Sequence, residues 1–397
     1  MDLRPIPAPD ADVASDPEVL ETIRSQIRSD GPMTFARFME LALYHPTHGY
    51  YRGSTPRPGR AGDFLTAPEA HPIFGRAVAH FAAAVHAVLG RPDTYPIREH
   101  GAGTGALAGP LVAALLTLDG APSWIRYLVD EVEPARVEAV RATVTGALAG
   151  ASVQPARAVV EADAGDRIDG LAIANEVLDA LPTHRVIGRP DGLHEVFVGL
   201  DDQGELVDVE AAPSTPGLAA RLEAEGVRLR DGQRTEVCLE LDGWISSAAD
   251  RLGRGVLLVI DYGHPGAVLH DPRRRAAGTL LTYRGHRVGD DPLRAVGRQD
   301  LTAHVDLTAV ERAAADAGLI LLGKATQSAF LERLGAGALL VAEQTRPGAS
   351  IASYLEARSA LVRMIDPAAM GRFTVLAFGR GLAEDVELPG LDPVPGI

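Results

Sequence analysis

At 397 residues and 46% hydrophobic content, the chain is long enough to bury a large core, as one elaborated domain or two. Its formal net charge of −15 argues against nucleic acid as a substrate, because phosphate binding needs a basic surface, and suits a cationic partner or peptide instead. The one cysteine, Cys238, rules out an internal disulfide and a multi-cysteine metal site, and no run approaches the roughly 18 apolar residues of a membrane span.

In chain order, Met1 to Leu20 is rich in Pro and Asp and lacks both a basic flank and an apolar stretch. It reads as neither signal nor transit peptide, which places the protein in the cytoplasm, with residues 1–18 a flexible tail. Residues 19–94 carry helical patterns, Phe35 to Tyr44 and Pro72 to Leu89, split by the Gly/Pro/Arg-rich segment Arg52 to Gly62.

A short β-like run, Tyr95 to Arg98, then leads through Glu99 into Gly101-Ala102-Gly103-Thr104-Gly105 and a helix-compatible stretch, Ala106 to Leu118. Glycines at 101, 103 and 105 permit a sharp turn and close approach of a ligand, and the following helix offers unpaired N–H groups above it. Gly101, Gly103 and Ala106 also fit G-x-G-x-x-G/A, the dinucleotide pattern. The next apolar run, Ile125 to Val129, closes on Asp130 and Glu131, either of which could grip the ribose hydroxyls. Strand, glycine turn, helix, strand and acid imply an adenosine cofactor without choosing between NAD and S-adenosylmethionine.

The choice turns on Gly170 to Ala174, which runs into Asn175-Glu176-Val177-Leu178-Asp179-Ala180-Leu181-Pro182. At the carboxyl end of a strand in an open α/β sheet, Asn175 and Glu176 would face the reactive end of the cofactor. Residues 184–254 change character. Arg185 to Gly188, Leu193 to Leu200 and Glu205 to Ala211 form an antiparallel meander, followed by helices over Pro216 to Arg228 and Leu241 to Leu252. Strand Gly255 to Ile260, a loop-rich excursion over 262–305, helix Leu307 to Ala317, strand Leu319 to Leu322, helices within 328–365 and strand Phe373 to Phe378 follow. Residues 383–397 read as a second tail.

With these blocks in place the chain resembles the MidA/NDUFAF7 (DUF185) family of S-adenosylmethionine-dependent methyltransferases. The resemblance rests on an ordered set of segments. These are Gly31 to Pro46, Gly49-Tyr50-Tyr51, Gly62 to Glu69, Glu99 to Gly105, Asn175 to Pro182, Ile260 to His264, Thr279-Leu280 with Tyr283, Arg284 and His286, Asp300 to Asp306, and Met370 to Phe373. Two departures stand out: Ala102 where the family usually has proline, and Glu133-Pro134 where Ser-Pro is common.

The resemblance implies an α/β fold of the class I methyltransferase type. Its Rossmann-like wound sheet, in halves at 95–183 and 255–382, would carry a helical N-terminal extension, an inserted β-meander and an active-site loop at 262–305. S-adenosylmethionine is the implied cofactor, held by Glu99, Gly101, Gly103, Gly105, Glu131 and Asn175, with Gly62, Asp63 and Thr66 forming a lid. For Asp63 and Thr66 the plainer reading is helix capping before Pro68.

The mitochondrial branch of the family implies a protein arginine acceptor on a respiratory complex I subunit. Paired carboxylates can bind two N–H groups of a planar guanidinium. Glu176 and then Asp179 are the expected clamp, Asp261 and His264 supports, and His264 or His304 the acceptor of the departing proton. Asp179 could instead cap a helix near Ala180, and Asp306 reads first as the N-cap of Leu307 onward. His45, His48, His71 and His286 lack metal-like spacing, so no metal site is expected. Arg273-Arg274-Arg275 reads as a solvated loop and Cys238 as a small buried hydrophobe. A small-molecule O- or N-methyltransferase and a non-catalytic assembly factor are the alternatives; the oligomeric state is not legible.

Overall fold

Apolar runs buried on both faces make the middle of the molecule a sheet covered by helices. The computed structural model describes residues 13–52, 63, 65–346, 348–383 and 385–393. Its main sheet comprises β1 (Thr94–His100), β2 (Trp124–Asp130), β3 (Ala158–Ala162), β4 (Ile168–Asn175), β5 (Leu252–Asp261), β6 (Ile320–Thr326), β7 (Thr374–Arg380) and β8 (Asp392–Pro393). Their spatial order is β3-β2-β1-β4-β5-β7-β6-β8. The first five run parallel, and β7 lies antiparallel between β5 and β6.

Alternation along β5 shows how the two faces are built. Val256, Leu258 and Ile260 join the core beneath helices Ile73–Val88, Ala108–Leu115 and Ala135–Gly150. Leu257 and Val259 point the other way, toward helices Glu240–Asp250 and Leu307–Asp316. Because β1 sends one neighbour to each side, β2 and β4, a crevice opens between the carboxyl ends of β1 and β4.

The expected meander is present as His184–Arg189, Gly192–Leu200 and Leu206–Ala211, and it is larger than expected. Arg234–Val237 adds beside the first of these strands, and Met33–Thr34 from the N-terminal block adds beside the second. A third core joins Phe35, Phe38 and Met39 to Ala180, Val198 and Leu301, so the N-terminal helix Phe35–Tyr44, the meander and the 262–305 excursion pack together over the crevice.

Three segments differ from expectation. Within the span read as a tail, Asp16, 9% exposed, accepts from Glu18 N and Val19 N and caps helix Pro17–Asp30. The excursion contains a three-stranded sheet, Leu281–Arg284, Arg287–Gly289 and Asp300–Thr302, whose strands are too short to show a period. Within the C-terminal segment Leu388 is buried and Asp392–Pro393 extends the sheet edge, because β6 has a free edge to pair with. Among the described residues no helix is long and apolar enough to cross a membrane.

Candidate active site

Gly101, Gly103 and Gly105 have φ of +67°, +55° and +80°, a conformation that side-chain-bearing residues avoid. A Cβ at Gly105 would lie 2.9 Å from Val140 Cα, so this glycine also lets the turn touch helix Ala135–Gly150. A Cβ at Gly103 would meet nothing. The helix after the turn starts at Ala108, two residues later than the spacing predicts. Above the turn lies a cavity of about 440 Å³, a size suited to a cofactor and part of an acceptor. Glu99, Gly101, Gly103, Glu131, Asn175, Glu176 and Thr66 all line it.

The acids on this wall are differently placed. Glu99 is buried at the end of β1 and accepts a 2.6 Å bond from Tyr127 OH. Burial raises its pKa to about 7 against the lowering effect of that bond, and Glu131 raises it further. Glu131 accepts from Gly103 N across the turn and lies 3.9 Å from Arg136 Nε. Asp130, the other candidate for ribose, is already engaged: its carboxylate pairs with His100 Nδ1 at 2.7 Å and with Arg251 at 3.4 Å.

After β4 the chain turns sharply. Glu176 has φ +53°, an uncommon conformation for a residue with a Cβ, and its N–H donates to Ile260 O. Its carboxylate accepts from Ala67 N at 3.2 Å and Asn175 Nδ2 at 3.1 Å. Burial, then the nearby charge of Asp179, pushes its pKa up to about 8. Among the described residues, the buried Asn175 Oδ1 has no hydrogen-bond partner. Asp261, at the end of β5, accepts from Val177 N, Leu178 N and its neighbour Tyr262 N, so it pins the 176–180 turn.

Asp179 sits on a 3-10 turn, Leu178–Ala180, and does not cap a helix; one oxygen accepts from Tyr262 OH and the other has no partner among the described residues. It is not on the cavity wall. Tyr51 OH donates to Asp300 at 2.8 Å, and burial with Asp179 nearby raises Asp300 to about 8. Glu176, Asp179, Asp261 and Asp300 are thus four neighbouring carboxyls, and among the described residues none of them is paired with an arginine or lysine.

Other expected residues fall elsewhere. Gly62 lies outside the described residues. Asp63 spends one oxygen on Tyr50 OH and the other on Gly285 N, tying the N-terminal block to the hairpin of the excursion instead of reaching the cavity. Thr66 reaches the cavity and also caps the short helix Ala67–Ala70 in a capping box with Glu69. His264 is off the cavity wall: Arg275 donates to its Nε2, and its ring lies 5.5 Å from that of His304. Asp306 caps helix Leu307–Asp316 through Thr308 N and Ala309 N.

Sequence reasoning passed over Tyr44, Tyr51, Glu40, Glu240 and Trp244, all on the cavity wall. Glu40 and Tyr44 share one face of helix Phe35–Tyr44, an i, i+4 spacing visible in the sequence, whereas Tyr51 becomes significant only through Asp300.

Comparison with known proteins gives the same picture. The family model described as "Putative S-adenosyl-L-methionine-dependent methyltransferase" matches residues 77–325. The mitochondrial protein arginine methyltransferase NDUFAF7 of Danio rerio is 27% identical over 340 residues, covering 80% of this chain and 76% of its own. The Homo sapiens protein of that name is 28% identical over 344 residues, covering 80% and 73%. A COG1565-superfamily protein of Burkholderia thailandensis, crystallised with S-adenosyl-homocysteine, is 32% identical with a TM-score of 0.83, covering 97% of this chain and 98% of that one. The curated relatives are named as mitochondrial, which overturns the cytoplasmic placement drawn from the N-terminal composition; that composition reports only what Met1 to Leu20 contains.

Proposed function

The chain belongs to this S-adenosyl-L-methionine-dependent methyltransferase family, and we propose that it methylates an arginine side chain of a partner protein. The wound sheet is a class I methyltransferase fold, and S-adenosylmethionine is its methyl donor. The residues at the crevice fit that molecule. The open Cβ position of Gly103 leaves room for it, the unpartnered Asn175 Oδ1 offers an acceptor, and Glu99 and Glu131 provide carboxylates for an ammonium and for ribose hydroxyls. When bound, S-adenosylmethionine supplies a methyl group already activated by its sulfonium.

One observation carries the choice of acceptor: Glu176 on the cavity wall, backed by the buried carboxyls of Asp179, Asp261 and Asp300, with no cationic partner among the described residues. A guanidinium is the side chain that brings a fixed positive charge and a planar set of N–H donors to such a place. Glu176 is the direct clamp. Asp179, oriented by Tyr262, stands behind it and adds negative charge, and Asp261 positions the turn that carries both. The Glu176–Asp179 pair, with affinities for protons near neutrality, takes the proton that the methylated nitrogen gives up. His264, occupied by Arg275, receives no part in this step. The resemblance to the mitochondrial branch makes a respiratory complex I subunit the first target to examine.

The test is methyl transfer from isotope-labelled S-adenosylmethionine into a cell extract, with peptide mass spectrometry. Label on an arginine nitrogen of a protein supports the reading. Label only in metabolites sinks it in favour of a small-molecule enzyme, and no label with a co-purifying protein points to an assembly factor.

A further inference from the structure

Away from the cavity, three segments distant in sequence converge on one point. Glu225 ends helix Pro216–Ala224, His270 ends the short helix Gly266–Leu269, and Asp306 caps helix Leu307–Asp316. One potential ligand atom from each lies within 4.8 Å of the other two. His270 Nε2 is 3.6 Å from Glu225 Oε2 and 3.7 Å from Asp306 Oδ2. From these residues we infer a divalent metal site of one imidazole and two carboxylates, zinc being the ion best matched to the donors.

Spacing is the first argument. Charge-assisted N–H···O bonds run about 2.7–2.9 Å, so an imidazolium bridging these carboxylates would draw them closer than they are. Donors held about 2.0–2.2 Å from a tetrahedral ion sit roughly 3.3–3.6 Å apart, close to the separations seen. The Glu225 carboxylate is the second, independent argument. Its side chain is 1% exposed, yet among the described residues neither oxygen has a hydrogen-bond partner; besides His270 it has Arg312 as a cation, 3.6 Å away. An ionised carboxyl buried in that state is costly unless something compensates it.

The surroundings are also those of a built site. Thr235 Oγ1 lies 2.8 Å from His270 Nδ1, an outer contact that fixes the ring and directs Nε2 at the carboxylates. Residue 266 is glycine where a Cβ would fall 2.4 Å from Glu225 Oε2 and 3.4 Å from Asp306 Oδ1. A cavity of about 30 Å³, one water's share of volume, reaches His270 and Asp306 and could hold a fourth, exogenous ligand. Two carboxylates and a neutral imidazole balance the charge of a divalent ion. Such an ion would clasp the inserted region and the 262–305 excursion to helix Leu307–Asp316. Composition gave no hint of this, since the ligands share no local spacing and the chain has one cysteine.

The test uses the full chain, purified without an affinity tag. Elemental analysis should find about one zinc per chain. After chelation and dialysis, thermal unfolding should shift down and return on adding Zn²⁺, and Co²⁺ should bind with the visible bands of a low-coordinate site. Glu225→Gln and Asp306→Asn, the latter keeping the helix cap through its side-chain oxygen, should each lower zinc affinity at least tenfold while S-adenosylmethionine still binds. The inference fails if the chelated chain takes up neither Zn²⁺ nor Co²⁺ and its unfolding does not respond to them. It fails equally if both variants, still binding the methyl donor, hold zinc as tightly as the unaltered chain.

Discussion

Glu176 combines three properties that seldom meet in one residue: a left-handed backbone, a half-buried carboxyl on a cavity wall and an affinity for protons near neutrality. Holding a non-glycine residue there costs on the order of 1–3 kcal/mol, sustained here by the bonds of Asp261 to the next two amides and of Glu176 N–H to Ile260 O. The strain aims the carboxylate across the cavity. Glu176→Gln keeps the shape and the two accepted hydrogen bonds but removes the charge a guanidinium requires. Methyl transfer to an arginine peptide should fall by about 10²–10⁴, while calorimetric affinity for S-adenosylmethionine stays within a few-fold. Loss of donor binding in parallel with activity would place Glu176 on the cofactor instead. This residue was legible because it follows a strand end, where an open sheet exposes its chemistry. Asp63 was not: its partners, Tyr50 and Gly285, are brought to it by folding of the N-terminal block against the excursion.

Among elements, legibility followed length and period. β5 carries an unbroken apolar run, Val256 to Ile260, buried on both faces, and the meander strands carry turn signals between them, so both could be read directly. Met33–Thr34 and Asp300–Thr302 are too short to carry a period, and only their partners make them strands. The glycine turn was visible as a motif, but its contact with helix Ala135–Gly150 was not. That contact predicts a contrast between two glycines. Gly105→Ala places a Cβ 2.9 Å from Val140 Cα at φ +80° and should cost about 1–3 kcal/mol of stability, with weaker donor binding. Gly146→Ala, within that same helix and with nothing near its added Cβ, should stabilise by about 0.5–1 kcal/mol. Denaturant midpoints of the two variants measure both; equal effects would mean that the turn and the helix do not bear on each other.

For the whole molecule, gathering so many acids around one cavity couples stability to proton uptake. Glu176 and Asp300 are raised to about 8, Glu99 to about 7 and Asp179 to about 6, each chiefly by burial. Unfolded, these groups would titrate near 4. The native state therefore binds more protons than the unfolded state between these limits, and stability falls as pH rises. Their contribution is complete below about pH 4 and is lost as pH climbs through 6 to 8. Carboxyls lowered in the native state, such as Asp130 and Glu343, act oppositely and weaken the fold in acid. Thermal unfolding of the unliganded chain should accordingly peak on the acid side of neutrality and decline toward pH 8.5, and Glu176→Gln with Asp300→Asn should flatten the decline. An arginine peptide reverses the balance, since a guanidinium favours the ionised carboxylates. Its binding at pH 7 should release protons, read as a calorimetric enthalpy that changes with the buffer's own heat of ionisation. Transfer should correspondingly rise with pH across 6 to 8. Buffer-independent binding together with a flat pH profile would mean that the acids around Glu176 never meet the acceptor's charge, and the arginine reading would fall with them.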